Sequence, residues 1–277
     1  MNKMLTDTTK AAILPDIQRQ FDRRNIAINN VGVKGVRYPL VIASADGAKS
    51  TIGTFAMTVS LPPEAKGTHM SRFLEMLEEN RALLTQESFL DLAKKTRRRL
   101  GASCCEIELA FPFFLEKTAP VSRAQGLLDF DVVWTANVSA NDDAEFVLKT
   151  IVPATSLCPC SKEISKYGAH NQRSLISIEA TLREKVTIEE LVDIAQQSAS
   201  CEVYSILKRP DEKHVTEHAY ENPKFVEDMV RDVAIALDAD SRIANYVIEV
   251  ENFESIHNHS AYAKIIGSLE TELLKAA

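Results

Sequence analysis

Strand-like and helical runs alternate along this chain in an order that admits few folds. Its first half reads strand, strand, helix, helix, strand, strand, over residues 35–44, 50–61, 70–84, 86–100, 104–114 and 126–140. The Asp46-Gly47 pair between the first two strand runs is typical of an antiparallel hairpin turn. Thr85 is suited to cap the second helix, and Gly101 after a basic last turn is suited to end it.

A similar series follows in the second half. Two strand runs, two helices and a closing hairpin cover residues 146–152, 175–181, 187–197, 223–240 and 243–267. The charged run 211–223 between the two helices is predicted to be a loop. The pattern predicts an α+β fold of two related halves, each with an antiparallel sheet that carries helices on one face. Open sheet edges favour an oligomer that closes the sheets into a barrel.

The chain has 277 residues, which is enough for one large domain or two of ordinary size. Residues 1–30 are polar and lack sustained apolar periodicity, so they are predicted to form a loose N-terminal arm. We assign residues 31–277 to one bimodular domain, with halves at about 31–140 and 141–277.

Composition and charge exclude several classes of protein. The net charge of −7 argues against a nucleic-acid-binding surface, and no apolar run approaches the ~20 residues of a membrane helix. The first residues lack the apolar core and cleavage site of a signal peptide. Five cysteines, with Cys104 and Cys105 adjacent inside a strand run, fit reduced thiols and small buried side chains better than a disulfide framework. The expectation is a soluble cytoplasmic protein.

Residues 155–174 concentrate the side chains that can carry chemistry. Cys158, Cys160 and His170 lie in this stretch between two strand runs. Thiolates and imidazoles bind Zn²⁺ or Fe²⁺, and Cys-x-Cys is too tight for a zinc ribbon, so an open site is one interpretation. The other is two buried thiols beside a surface histidine. Spacing alone leaves both open.

Other polar clusters have equally plain alternatives. A run with Asp211, Glu212, His214, Glu217 and His218 could be a solvated loop, and the His257-x-His259 pair with Glu254 could be a turn without function. Glu227 in the first turn of a helix is stabilised there by the helix dipole. Lys66, His69 and Arg72 precede a helix and could meet phosphates or form only a polar loop. The run Arg97–Arg99 fits the solvated end of a helix better than a phosphate site. No common nucleotide-binding loop motif is present. The residues alone support a metal-assisted hydrolase or a thiol enzyme.

Five segments carry a resemblance to a known family. KGTHMSRF, SLCPCSKEIS, GAHNQRS, NPKFVEDMVR and ESIHNHSA closely resemble the type IB GTP cyclohydrolase I family in order and spacing. The resemblance implies a tunnelling fold (T-fold) of two ββααββ-like halves whose subunits associate into β-barrels, here a homotetramer with active sites between subunits. It implies conversion of GTP and water to 7,8-dihydroneopterin triphosphate and formate, the entry to tetrahydrofolate and other pterins.

The resemblance also implies roles for particular residues. Cys158, His170, Glu212 and His257 resemble metal ligands, with Glu217 and His218 as alternatives to Glu212. A carboxylate ligand makes Mn²⁺ or Fe²⁺ credible beside Zn²⁺, one metal per site with no organic cofactor. The implied catalytic residues are Cys158, Cys160, His257, His259 and Glu254, with Glu254 orienting one of the two neighbouring histidines.

The substrate would contact a different set. Glu227 resembles the T-fold glutamate that accepts hydrogen bonds from the N–H groups of a purine. Candidates for the triphosphate are Lys66, His69, Arg72 and Arg173.

Three rival functions remain for a chain of this kind. A T-fold nitrile reductase shares the fold but requires NADPH and a nucleophilic cysteine, and its glutamate–serine–lysine signature is not found here. A non-catalytic metal- or pterin-binding module would keep the site for structure, although a structural zinc site is usually closed by four protein ligands. A thiol hydrolase based on Cys160 is the third.

Overall fold

A computed structural model describes residues 16–18 and 20–268. Most of the predicted arm, residues 1–15 and 19, lies outside the described residues, as do residues 269–277. The described strands are β1 (Ile28–Ser44), β2 (Gly47–Leu61), β3 (Cys105–Thr118), β4 (Gln125–Val138), β5 (Ala144–Leu157), β6 (Asn171–Leu182), β7 (Cys201–Glu202), β8 (Ile243–Asn252) and β9 (Ala261–Ser268). The described helices are α1 (Ser71–Glu79), α2 (Gln86–Leu100), α3 (Pro159–Ile164), α4 (Ile188–Ser198), α5 (Arg209–Glu221) and α6 (Val226–Asp238).

The strands form one antiparallel sheet in the order β1-β2-β3-β4-β5-β6-β8-β9, with the short β7 paired to β5. The first half has the order strand, strand, helix, helix, strand, strand. The second half repeats this order with α3, β7 and α5 added. The predicted α+β fold with antiparallel pairing is confirmed. The proposed boundary near residue 140 falls in the turn between β4 and β5, and the division into halves stays a prediction.

Helices α2, α4 and α6 pack on one face of this sheet. Alternate residues of each strand point toward them, so that β3 alternates between buried and more exposed positions along most of its length. Phe89 of α2, Trp134 of β4 and Phe146 of β5 meet edge to face, with Trp134 centred 5.6 Å from Phe89 and 5.4 Å from Phe146. Such pairs add stabilisation beyond their buried area. Because Phe146 belongs to the second half, one core joins the two halves.

Local capping signals mark the starts of α2 and α4. The Thr85 hydroxyl accepts from the backbone N–H of Ser88, and the Thr187 hydroxyl accepts from that of Glu190, whose carboxylate accepts in return from Thr187 N–H. Both are capping boxes, and the cap at Thr85 is the one predicted above. No helix among the described residues is long and apolar enough to cross a membrane.

Two predictions are wrong. The charged run beginning at Asp211 forms helix α5 rather than a loop, for a reason given below. Of the adjacent pair, Cys104 lies just before β3 and is exposed, whereas Cys105 is buried, and burial raises the pKa of its thiol to about 12.

Candidate functional site

Several connections between strands lie together at one end of the sheet, which we call the hairpin end. They are residues 45–46, 119–124, 158–170 and 253–260, which join β1 to β2, β3 to β4, β5 to β6 and β8 to β9. The pairing register continues to this end, with Thr118 opposite Gln125 and Leu157 opposite Asn171. The predicted residues Cys158, Cys160, His170, Glu254, His257 and His259 all belong to these connections.

Backbone hydrogen bonds hold Cys158 beside His170. The backbone N–H of Cys158 donates to the carbonyl oxygen of His170 at 3.1 Å, which extends the β5–β6 ladder by one step. Ser161 in the first turn of α3 fixes both residues. Its N–H donates to Cys158 Sγ at 3.4 Å, and its hydroxyl accepts from the His170 N–H at 3.2 Å. The thiol and the imidazole are thus presented from one short, internally bonded segment.

Gln172 and Glu254 orient the imidazole of His170. The Gln172 amide nitrogen donates to Ser156 Oγ at 2.7 Å, so its oxygen faces His170 Nδ1 at 2.9 Å. Glu254 Oε2 lies 3.9 Å from the same nitrogen. The Gln172 oxygen favours the tautomer of His170 with its proton on Nδ1, which leaves Nε2 as the nitrogen suited to a metal. Sequence reasoning gave Gln172 no role, and it paired Glu254 with the C-terminal histidines; in the structure the Glu254 carboxylate lies beside His170.

The donor chemistry at this point fits a divalent metal in part. Cys158 supplies sulfur and His170 supplies nitrogen, the ligand types of zinc and iron sites. Across residues 16–18 and 20–268, however, no three His, Cys, Asp or Glu side chains converge as a complete ligand set. The chain by itself therefore brings two of the four predicted ligands together, and Glu212 and His257 do not join them.

Asp211 explains why α5 is a helix. Its side chain is fully buried and accepts from the backbone N–H groups of Val121 and Ser122, each at 2.8 Å, from the Ser122 hydroxyl at 2.5 Å and from Lys208 N–H at 2.8 Å. Burial works to raise the pKa of this carboxyl, but the four donors outweigh burial and hold the pKa well below its usual range. Asp211 is therefore structural, because it starts α5 and anchors the helix to the β3–β4 turn.

The polar residues of α5 are divided between two sides of the helix. Glu212 and Thr216 are one turn apart, and Thr216 lines a cavity of about 250 Å³ together with Arg173 of β6. His214 and His218 are also one turn apart and line a different cavity. This division favours Glu212 over His218 as a residue that faces the hairpin end.

Other predicted residues at this end are exposed. His257 and His259 stack with ring centroids 5.0 Å apart, and neither they nor Cys160 are buried. Glu227 is exposed in the first turn of α6. The residue Lys224, just before that helix, donates its backbone N–H to the carbonyl of Leu157, which places the start of α6 next to Cys158.

The remaining triphosphate candidates lie at the opposite end of the sheet. Lys66, His69 and Arg72 follow the last residue of β2. The end of β2 lies beside the start of β3, the end of β4 and the start of β5, so these residues are at the end of the sheet where β5 begins. Cys158 follows the other end of β5, whose 14 residues span roughly 45 Å. His69 and Arg72 line a cavity of about 430 Å³, where His69 Nε2 lies 3.3 Å from Asp16. In one chain these cations do not meet the Cys158–His170 pair.

The arginine run at the end of α2 is occupied by acidic partners. Arg97 and Arg98 bind the two oxygens of Asp142 at 2.6 and 2.7 Å, and Arg99 lies 3.5 Å from Glu79. The prediction that this run is not a phosphate site is in keeping with these ion pairs.

Comparisons with known proteins match the whole of this fold. The family described as "Type I GTP cyclohydrolase folE2" matches residues 14–263. The chain is 56% identical over 258 residues to GTP cyclohydrolase FolE2 1 of Dechloromonas aromatica, covering 93% of this chain and 97% of that one. It is 56% identical over 266 residues to GTP cyclohydrolase FolE2 of Burkholderia multivorans, covering 96% and 97%.

Solved structures of a different activity share the architecture. The uricase from Arthrobacter globiformis superposes with a TM-score of 0.54 at 10% identity, over 87% of this chain and 93% of that one. A uricase from Bacillus fastidious gives 0.53 at 9% identity, over 92% and 97%. At such identity the likeness shows the T-fold alone, as predicted.

Proposed function

The chain belongs to the FolE2 family of type I GTP cyclohydrolases, and we propose that it hydrolyses and rearranges GTP to 7,8-dihydroneopterin triphosphate and formate. The observation that carries the proposal is the family match over residues 14–263, which includes the Cys158–His170 pair. The reaction opens tetrahydrofolate and pterin synthesis, and we place it in the cytoplasm. The relatives are named as GTP cyclohydrolases, and no observation supports the three rival functions, which are the nitrile reductase, the binding module and the thiol hydrolase.

We propose that Cys158 and His170 hold one divalent metal, with Glu212 and His257 as further ligands. A bound metal of this kind lowers the pKa of water so that hydroxide is available near neutral pH. Gln172 and Glu254 keep the proton of His170 on Nδ1, so that Nε2 faces the metal. The mixed set of sulfur, nitrogen and carboxylate oxygen suits Mn²⁺, Fe²⁺ or Zn²⁺.

Glu227 is proposed to bind the guanine. Its carboxylate accepts hydrogen bonds from two N–H groups of the base, and the start of α6 lies beside Cys158 because Lys224 bonds to Leu157. Arg173, exposed on β6 next to Thr155, would meet the triphosphate from the same end. His257, His259 and Cys160 are proposed to transfer protons or to complete the site, since all three are exposed at the hairpin end.

A second subunit is required if Lys66, His69 and Arg72 also bind the triphosphate. Within one chain they lie a strand's length from Cys158, so a neighbouring copy must bring them to the site. Large apolar side chains are exposed at the hairpin end, including Tyr167 at 95%, Ile164 at 79% and Ile256 at 62% exposure, which is a pattern of surfaces covered in an assembly. β1 and β9 leave two open sheet edges for closure into a barrel. We propose a homotetramer with sites between subunits.

A turnover assay on metal-stripped protein tests the proposal. GTP is added with Mn²⁺, Fe²⁺ or Zn²⁺ in turn, and formate is measured together with the fluorescence of oxidised neopterin. We expect metal-dependent release of both products. A folded, oligomeric protein that forms neither product with any of the three metals would refute the proposed reaction.

Variants assign the residues. Cys158→Ala and His170→Ala are each expected to lower turnover at least ~100-fold and to lose bound metal. Cys104→Ala is the matched control, an exposed thiol at the opposite end of the sheet that should leave both unchanged. Glu227→Ala should weaken GTP binding about 10- to 100-fold, as expected for lost hydrogen bonds to a charged group, with metal content intact. Normal GTP affinity in that variant would remove Glu227 from the purine pocket.

A further inference from the structure

His214 and His218 form a pair of imidazoles that the proposed function does not use. Their ring centroids are 5.9 Å apart and their planes differ by 4°. Residues four apart lie on the same side of a helix, and this spacing lets two imidazoles reach one metal ion. The segment from His214 to His218 also reads H-x-x-E-H, a pattern in which the two histidines hold zinc.

The pair lines a cavity of about 670 Å³ between α4, α5 and the end of β3. Asp193 and Glu202 line the same cavity, as does Lys117. The Lys117 ammonium is paired with Glu202 and donates to Gln196 Oε1 at 2.8 Å, so this cation is already neutralised. The carboxylate of Asp193 is therefore in excess over the cations of this cavity, which favours binding of a cation over an anion.

Both imidazoles are available for coordination. Among the described hydrogen bonds and ion pairs, none uses a ring nitrogen of His214 or His218, and both side chains are exposed. By contrast, His170 has Nδ1 bonded to Gln172. A histidine whose ring nitrogens are free of protein partners can turn its Nε2 toward a metal without losing a hydrogen bond.

We propose that His214 and His218 form a second divalent transition-metal site, separate from the Cys158–His170 centre. No third His, Cys, Asp or Glu of the described chain converges with the two imidazoles, so water completes the coordination and the bound metal exchanges readily. Imidazole ligands suit Zn²⁺, Ni²⁺ and Cu²⁺. The division of α5 into two sides separates the sites, because Glu212 and the histidines lie on different sides of the helix.

Equilibrium dialysis of the full-length, metal-stripped protein against Zn²⁺ tests this proposal. We expect two classes of bound zinc per chain. The weaker class should disappear in the His214→Asn/His218→Asn variant, and His218→Asn alone should weaken it at least ~tenfold. The same class should remain in Cys158→Ala/His170→Ala, so the result does not depend on the proposed reaction.

Two controls complete the experiment. Lys213→Ala changes a neighbouring exposed residue of α5 that pairs with Glu217, and it should leave both classes of bound zinc intact. Turnover and thermal stability of the His214→Asn/His218→Asn variant should equal those of the wild type, since neither side chain has a hydrogen bond within residues 16–18 and 20–268 and both lie on the side of α5 away from Glu212. Unchanged zinc binding in this variant would overturn the proposal. Loss of the weaker class of bound zinc in Cys158→Ala/His170→Ala would also overturn the proposal.

Discussion

The two halves of the chain share one order of strands and helices and differ in what joins them. In the first half, residues 45–46 suffice to join β1 to β2, and α1 leads directly to α2. In the second half, residues 158–170, with α3 among them, join β5 to β6, and β7 and α5 separate α4 from α6. The first half shows what the fold requires, so we propose that the additions in the second half serve the candidate site.

Pairing across the second-half connection supports this interpretation. Residues on both sides of it continue the ladder in register up to Leu157 and Asn171. The sheet is therefore complete without residues 158–170. What the connection adds is a short segment whose own hydrogen bonds present Cys158 and His170.

The largest effect is expected from making the second half resemble the first. Replacing residues 158–170 by Asn-Gly would join Leu157 to Asn171 by a two-residue turn of the favoured hairpin type. We expect a folded protein with the circular dichroism of the wild type, no turnover and no metal at the main centre. Loss of the fold would show that the connection is structural, and residual turnover would place the site elsewhere.

A smaller effect is expected from Gln172, which positions His170 without belonging to the connection. Gln172→Leu removes the acceptor at Nδ1 and should lower metal affinity and turnover about 10- to 100-fold. Gln196→Leu is the matched control, because Gln196 is equally buried, at 7% exposure, but lies in α4. Affinity for the metal at the Cys158–His170 centre should fall only in Gln172→Leu, and Gln172→Glu should restore part of that affinity. Equal metal affinities in both Leu variants would remove Gln172 from the site.

Lowering the pH should test the hydrogen bonds by which Asp211 attaches α5 to the β3–β4 turn of the first half. The pKa of Asp211 is lowered in the folded state, so the stability it supplies is complete above its unfolded pKa of about 3.9 and is lost as the pH falls below that value. Asp211→Asn should therefore lower the unfolding temperature at pH 7, and the difference from the wild type should shrink at pH 3. Glu217→Gln, an exposed carboxylate of the same helix, should show no such dependence. A constant difference at both pH values would contradict the assignment.

The smallest effect compares two glycines, one in each kind of connection. Gly47 and Gly168 have φ of +119° and +118°, and a Cβ would meet no atom within 4 Å at either position. Alanine at each should lower the free energy of unfolding by a similar amount, about 1 kcal/mol, from backbone strain alone. Turnover per folded molecule should fall only for Gly168→Ala, because Gly168 lies two residues before His170. Equal turnover in the two variants would weaken the contrast between the halves.

The sequence predicted those parts of the fold that local interactions decide. Thr85 and Thr187 start helices because each caps its own first turn. Helix α5 was missed because the partners of Asp211 in the β3–β4 turn lie about 90 residues earlier in the chain. No property of residues 211–223 taken alone reveals that contact.

The candidate site divides in the same way. That Cys158 and His170 lie together could be predicted because they are close in sequence and flank a connection between two strand runs. Gln172 could not, because its role depends on Ser156 across the hairpin and on the ring orientation of His170. In the proposed assembly, Lys66, His69 and Arg72 meet this pair through contacts between copies of the chain, which neither composition nor spacing encodes.

The aromatic contact between the halves makes the protein its own optical reporter. Trp134 is the single tryptophan of the sequence, it is 2% exposed, and its indole N–H has no hydrogen-bond partner among the described residues. An indole in such a dry, apolar environment fluoresces at shorter wavelength than one in water. Since Phe89 and Phe146 contact the ring from the two halves, a red shift of this single emission would signal that water has reached the core where the halves meet.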